Sequence, residues 1–117
     1  MAPGSPDAAV TAFLPLRPVE YHVLLSLSDR PRHGYGIMQD AEDRSGPAVI
    51  PDVATLYRAL KRMVEGGLIR PAEGRAAGDR RRTDYEITSL GARVARAESR
   101  RMATLVEAAA GAGLLRG

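Results

Sequence analysis

Between residues 17 and 88 the sequence reads as helix, helix, strand, basic helix, strand, arginine-loaded hairpin and strand. That order predicts an α+β, mainly α fold, a winged helix-turn-helix with a small antiparallel wing sheet and a long C-terminal helix. Three observations carry it: an apolar stripe backed by basic residues over 53–65, a Gly66-Gly67 stop directly after it, and the run Arg80-Arg81-Arg82 opening a returning strand. A chain of 117 residues builds one modest core, not two.

Residues 1–16, MAPGSPDAAVTAFLPL, are rich in Pro, Gly and Ala and read as a flexible arm. Phe13, Leu14 and Leu16 could clip it onto the body or a partner. Arg17-Pro18-Val19-Glu20 starts the first helix, because proline at the first helical position loses no hydrogen bond and Glu20 lies in the positive first turn. Tyr21, Leu24, Leu25 and Ser28 keep helical spacing, and Val23 and Leu27 widen the face to that of a central helix. The second helix is expected from about His33-Gly34 to Ser45, with Gly46 as its left-handed cap and Pro47 blocking continuation. Gly34 and Gly36 are poor helix formers, which points to close helix approach or to backbone contact with a phosphate.

Ala48-Val49-Ile50 is β-branched and predicts a short strand pairing with the wing. Pro51 ends it and Asp52 caps the third helix. Leu56, Leu60, Met63 and Val64 form one apolar stripe of that helix, with Ala54, Arg58, Lys61, Arg62 and Glu65 opposite and Thr55 and Tyr57 on the flanks. Such a helix seats its apolar face in the core and offers its basic face to a major groove. Thr55, Tyr57, Arg58, Lys61 and Arg62 are the expected DNA contacts, Tyr57 through its hydroxyl unless its ring is purely structural.

Leu68-Ile69-Arg70 is the first wing strand, Pro71 fits an edge, and the strand returning through Thr88 places Tyr85 and Ile87 on one face. Arg80, Arg81 and Arg82 complete the DNA-contacting set. Alternate strand residues face opposite sides, so at least one of the three is solvated or paired with Glu73 or Asp79. Thr88 caps a last helix from Ser89 to about Ala110, with a stripe of Leu90, Val94, Ala97 or Glu98, Met102, Leu105, Val106 and Ala109. Nothing remains in the chain to cover that stripe. Leu90, Val94, Met102, Leu105 and Val106 are therefore expected at a homodimer interface, the alternative being a fold-back onto the first helix. The expected parts are an arm (1–16), a winged helix-turn-helix DNA-binding domain (17–88) and a dimerisation helix with tail (89–117).

Charge agrees with that assignment. The chain has 17 Lys and Arg against 14 Asp and Glu, Lys61 being the only lysine, and the basic residues cluster in 58–62, 80–82 and 93–101. Genomic base composition could favour arginine over lysine, but it does not explain the clustering. With no Cys there is neither a disulfide framework nor a thiolate zinc site, which fits a cytoplasmic protein, and no apolar run is long enough to span a membrane. His22 and His33 lack second ligands at metal-binding spacing, so packing or capping histidines are expected, with no metal and no cofactor. His33-Gly34-Tyr35-Gly36 lacks G-x-G-x-x-G and a preceding strand, and no nucleophile motif or carboxylate pair points to an enzyme. A non-specific nucleic-acid-binding module or a protein-interaction winged helix is the rival reading. Too few aromatics stand near the basic surface for single-strand stacking, and the basic third helix disfavours the protein-interaction role.

The strings also carry a family likeness. The run from Leu16 to Gly46 resembles the first two helices of PadR-family regulators, in which His-Gly-Tyr opens the second. Thr55-Leu56-Tyr57-Arg58-Ala59-Leu60-Lys61-Arg62-Met63 resembles the family's recognition-helix core, Gly67-Leu68-Ile69 its approach to the wing, and Thr88-Ser89-Leu90-Gly91 the start of its next helix. The resemblance covers residues 16 to about 110. It implies a homodimeric transcriptional regulator, most often a repressor, bound to a pseudo-palindromic double-stranded operator and released by a small-molecule effector or stress signal. Ala54 stands where the family commonly has Gly, and the short C-terminal region looks like the compact subgroup with a single dimerisation helix. The chain has no Trp, so the binding of flat drugs between tryptophans does not carry over.

Overall fold

The structure, a computed structural model, describes residues 7–72 and 83–116. Its elements in order are α1 (Ala8–Thr11), α2 (Pro18–Leu27), β1 (Arg32–His33), α3 (Gly34–Ser45), α4 (Val53–Glu65), β2 (Ile69–Pro71), β3 (Asp84–Ile87) and α5 (Ser89–Gly111). The sheet is antiparallel in the order β1-β3-β2, with Arg32 opposite Tyr85 and Ile69 opposite Ile87. The fold is thus mainly helical with a small three-stranded sheet, as the order of motifs predicts.

α2 is the central helix, packing on α3, α4 and α5. Val23, Leu24 and Leu27 from α2, Ile37 and Ala41 from α3, and Leu56, Leu60 and Met63 from α4 are essentially inaccessible to solvent. Burying each large side chain contributes roughly 1.5–3 kcal/mol, which makes this three-helix contact the main source of stability. The helix boundaries follow their predicted chemistry. The Glu20 carboxylate accepts the Arg17 N–H at 3.2 Å, and Gly46 takes φ 93° after Ser45.

Three expectations change. The third sheet strand is Arg32–His33, not Ala48-Val49-Ile50. Pro47 and Pro51 flank the latter and cannot continue a ladder, so Ile50 drops into the core instead, 1% exposed. The segment from residue 7 to 16 is not a loose arm. Asp7 caps α1, Val10 and Leu16 join the core, and α1 lies against α5, where Asp7 also pairs with Arg93.

The third change concerns α5, whose stripe divides. Its first half does find partners within the chain: Leu90, partly buried, packs on the core, and Val94 is fully buried, so Val94 does not project to a second subunit. The Tyr21 hydroxyl and the Ser99 hydroxyl, 2.8 Å apart, tie α2 to this half. Glu98 is buried, accepting the Leu16 N–H at 2.9 Å and an Arg101 N–H at 2.5 Å. Beyond it Leu105 and Val106 are more than half exposed and Met102 is partly so.

Candidate nucleic-acid interface

The site is built on the outer face of α4. Asp52 fixes the start of that helix by accepting the Thr55 N–H at 2.7 Å, and this bond, foremost among several, holds the Asp52 carboxyl below its ordinary range. The Thr55 hydroxyl in turn accepts from the Arg58 guanidinium at 3.3 Å. Ala54, Arg58 and Lys61 are exposed along one line, while Leu56, Ala59, Leu60 and Met63 are buried on the other side. The helix therefore has a fixed inner face and an exposed basic outer face, the polarity expected of a helix that enters a major groove.

The remaining predicted residues are placed less uniformly. Arg62 reaches Glu20 on α2 at 3.4 Å, which directs it along the protein rather than straight outward. Tyr57 is half-buried and its ring closes on α3, where a Cβ at Gly34 would stand 2.5 Å from the Tyr57 hydroxyl oxygen. Of the two readings of Gly34, close helix approach is the one the geometry supports. The Gly36 N–H is already donated to His33 Nδ1 at 3.0 Å, so His33 is a capping histidine. Arg80, Arg81 and Arg82, with their prospective partners Glu73 and Asp79, lie outside the described residues. The base of the wing is stapled by Arg70 and Glu86, 2.7 Å apart across β2 and β3.

On α3 one acidic residue is neutralised by arginines. Asp40 pairs with Arg44 at 2.8 Å and with Arg32 at 3.7 Å, and its pKa lies below the usual value, first through the Ser26 hydroxyl and then through these arginines. His22, partly buried and 3.0 Å from the same Arg44, has its pKa lowered by burial and then by that positive charge. Among the described residues no group of side chains is arranged to hold a metal ion, and no helix is long and apolar enough to cross a membrane.

Two residues at the start of the helix pair escaped the sequence reasoning. Tyr35 is 74% exposed and Val53 49% exposed, and both line a cleft shared with His33 and Tyr57. Val53 belongs neither to the predicted apolar stripe nor to the predicted contacts, because an apolar residue in a first turn carries no charge or motif signal. Only the fold shows that the first turn of α4 extends past the core.

The described geometry has the layout shared by winged-helix proteins, and comparison with family models decides which. The model of the transcriptional regulator PadR-like family matches residues 23–97. The chain belongs to the PadR family. Its members are DNA-binding transcription regulators with this winged-helix fold, and the match runs from the second half of α2 to the first part of α5, including all of α4 and the wing. Similar solved structures share the architecture. A PadR family transcription regulator from Clostridium difficile superposes with a TM-score of 0.68 at 20% identity, covering 81% of this chain and 97% of that one. A PadR-like transcriptional regulator from Bacillus cereus gives 0.65 at 18% identity, covering 95% and 99%. A transcriptional regulator from Clostridium thermocellum gives 0.64 at 20% identity, covering 87% and 91%. No curated protein matches the chain.

Proposed function

We propose that this PadR-family chain acts in the cytoplasm as a homodimer that binds a pseudo-palindromic double-stranded operator and represses transcription until a small-molecule or stress signal releases it. One observation carries the DNA-reading part: Arg58 and Lys61 are exposed on the outer face of a helix whose inner face is locked in the core. In this reading α4 enters the major groove, Arg58 contacts a base edge, and the wing arginines Arg80, Arg81 and Arg82 hold the adjacent backbone. The exposed Leu105 and Val106 of α5, with the partly exposed Met102, supply the subunit contact, since an apolar stripe left in water is otherwise a liability. The dimer and the release by an effector are what the family resemblance implies, and the exposed second half of α5 supports the first of them.

Selection of bound sequences from random duplexes tests the reading. Two inverted half-sites centred about one helical turn, ~34 Å, apart are expected. Enrichment of no sequence would leave a non-specific module.

A further inference from the structure

The cleft between the starts of α3 and α4 has a volume of about 420 Å³ and is walled by His33, Tyr35, Val53 and Tyr57. Isolated exposed apolar residues are ordinary, but Tyr35 and Val53 line a single recess together. The recess lies at the first turn of α4, the helix that carries Arg58 and Lys61. In a helix-turn-helix the N-terminal residues of the recognition helix are the ones that contact base edges, so a groove that takes α4 meets Val53.

A major groove presents hydrogen-bonding atoms at every base pair and one apolar group only, the C5 methyl of thymine. An exposed valine on the groove-facing first turn has no other apolar partner there. Its neighbours sharpen the point: Asp52 is spent on the helix cap and the Gly36 N–H on His33, which leaves the recess without a free backbone donor from that amide. We propose that Val53 is a specificity residue that receives a thymine methyl group in this cleft, with the exposed Tyr35 ring as a further part of its lining. The assignment rests on α4 being the recognition helix, and it names a preference that Arg58 and Lys61 cannot supply, because guanidinium and ammonium groups read acceptors and not methyl groups.

The test uses the duplex that the wild-type protein selects from random DNA, with each thymine of one half-site replaced in turn by uracil, which removes only the methyl. One position should weaken binding about fourfold, the loss expected for one buried methyl-sized group at ~0.8 kcal/mol. In Val53→Ala the thymine and uracil duplexes should bind alike at that position, and Val53→Ile should restore the difference. Tyr35→Ala should also shrink it, by removing part of the lining. Val53 is half exposed in the first helical turn, so these variants keep the core, and far-ultraviolet circular dichroism confirms it. Specific binding by the wild type with no uracil-sensitive position, or sensitivity that survives in Val53→Ala, overturns the proposal while leaving the role of α4 intact. Failure of the wild type to prefer any sequence overturns both.

Discussion

Gly91, in the first turns of α5, lies directly on the backbone of Leu68 at the foot of the wing. A Cβ at Gly91 would come to 3.0 Å from the Leu68 carbonyl carbon, nearer still to its oxygen, and to 2.9 Å from Ile87 Cγ1. Thr88 locks the same junction. Its hydroxyl donates to the Gly67 carbonyl at 2.6 Å, with the Leu68 carbonyl at 3.1 Å, and accepts the Gly91 N–H at 3.0 Å. The threonine and glycine of this T-x-x-G string thus weld α5 to the wing.

Gly91→Ala follows from that contact with an unusual sign. Inside a helix, alanine normally gains up to ~1 kcal/mol over glycine. Here backbone atoms cannot swing aside, and overpacking of ~1–3 kcal/mol should outweigh the gain. Thermal unfolding of the variant should therefore begin at lower temperature than that of the wild type; a raised midpoint would show that the junction yields.

The buried Glu98 predicts an acid-dependent stability term. Its pKa is depressed, chiefly by the hydrogen bond from Arg101 and then by the Leu16 N–H, against an opposing effect of burial. A carboxylate with a depressed folded-state pKa contributes stability above its unfolded value of ~4.3 and loses it as pH falls through the folded value. Asp40 contributes in the same window, so the comparison must be between variants. Denaturant titrations between pH 7 and pH 3 should show a shallower loss for Glu98→Gln than for wild type. Glu98→Leu leaves the Leu16 N–H without an acceptor and should cost ~1–3 kcal/mol even at neutral pH. Parallel pH profiles for wild type and Glu98→Gln would count against the assignment.

The two halves of α5 should respond differently to a charge. Leu105→Asp, on the exposed half, should give a folded monomer in sedimentation velocity. Val94→Asp, with no exposed surface, should unfold the protomer itself, since an unpaired buried charge is not tolerated. A folded dimer carrying Leu105→Asp would remove that residue from the subunit contact.

Readout by α4 and anchoring by the wing separate in binding experiments. Arg58→Ala should cost ~1–3 kcal/mol on the preferred duplex and relax preference at one position. Replacing Arg81 and Arg82 by Ala should weaken all duplexes alike and flatten the dependence on salt, because phosphate contacts release counterions. If both variants bind as wild type does, the recognition surface lies elsewhere.

Helices and caps were legible because their signals are local. Asp52, Thr88 and Gly46 announce helix ends through chemistry that needs no distant partner, and the stripe of Leu56, Leu60 and Met63 marks its inner face. What was not legible depended on tertiary neighbours. Arg32 and His33 form a strand only because β3 offers them a free edge, and no two-residue segment carries a period. Glu98 stood ambiguously with Ala97 in an apolar stripe, and its burial became intelligible once Leu16 was seen to bring an amide to it. The same contact explains why residues 7–16, glycine-poor after Gly4 but proline-containing, dock instead of remaining free. At the interface, Arg58 and Lys61 stood out by charge alone, whereas nothing in the sequence singled out Val53 until the fold placed it on an exposed first turn.

The central claim is that the outer face of α4 reads duplex sequence, and anisotropy titration tests it most directly. The probe is DNA from immediately upstream of the protein's own coding sequence, set against a shuffled duplex of the same composition at two salt concentrations. Binding at least ~1000-fold tighter to the native fragment is predicted, with most of that ratio lost in a variant lacking both Arg58 and Lys61 side chains. Specific binding that survives removal of both side chains would contradict the account.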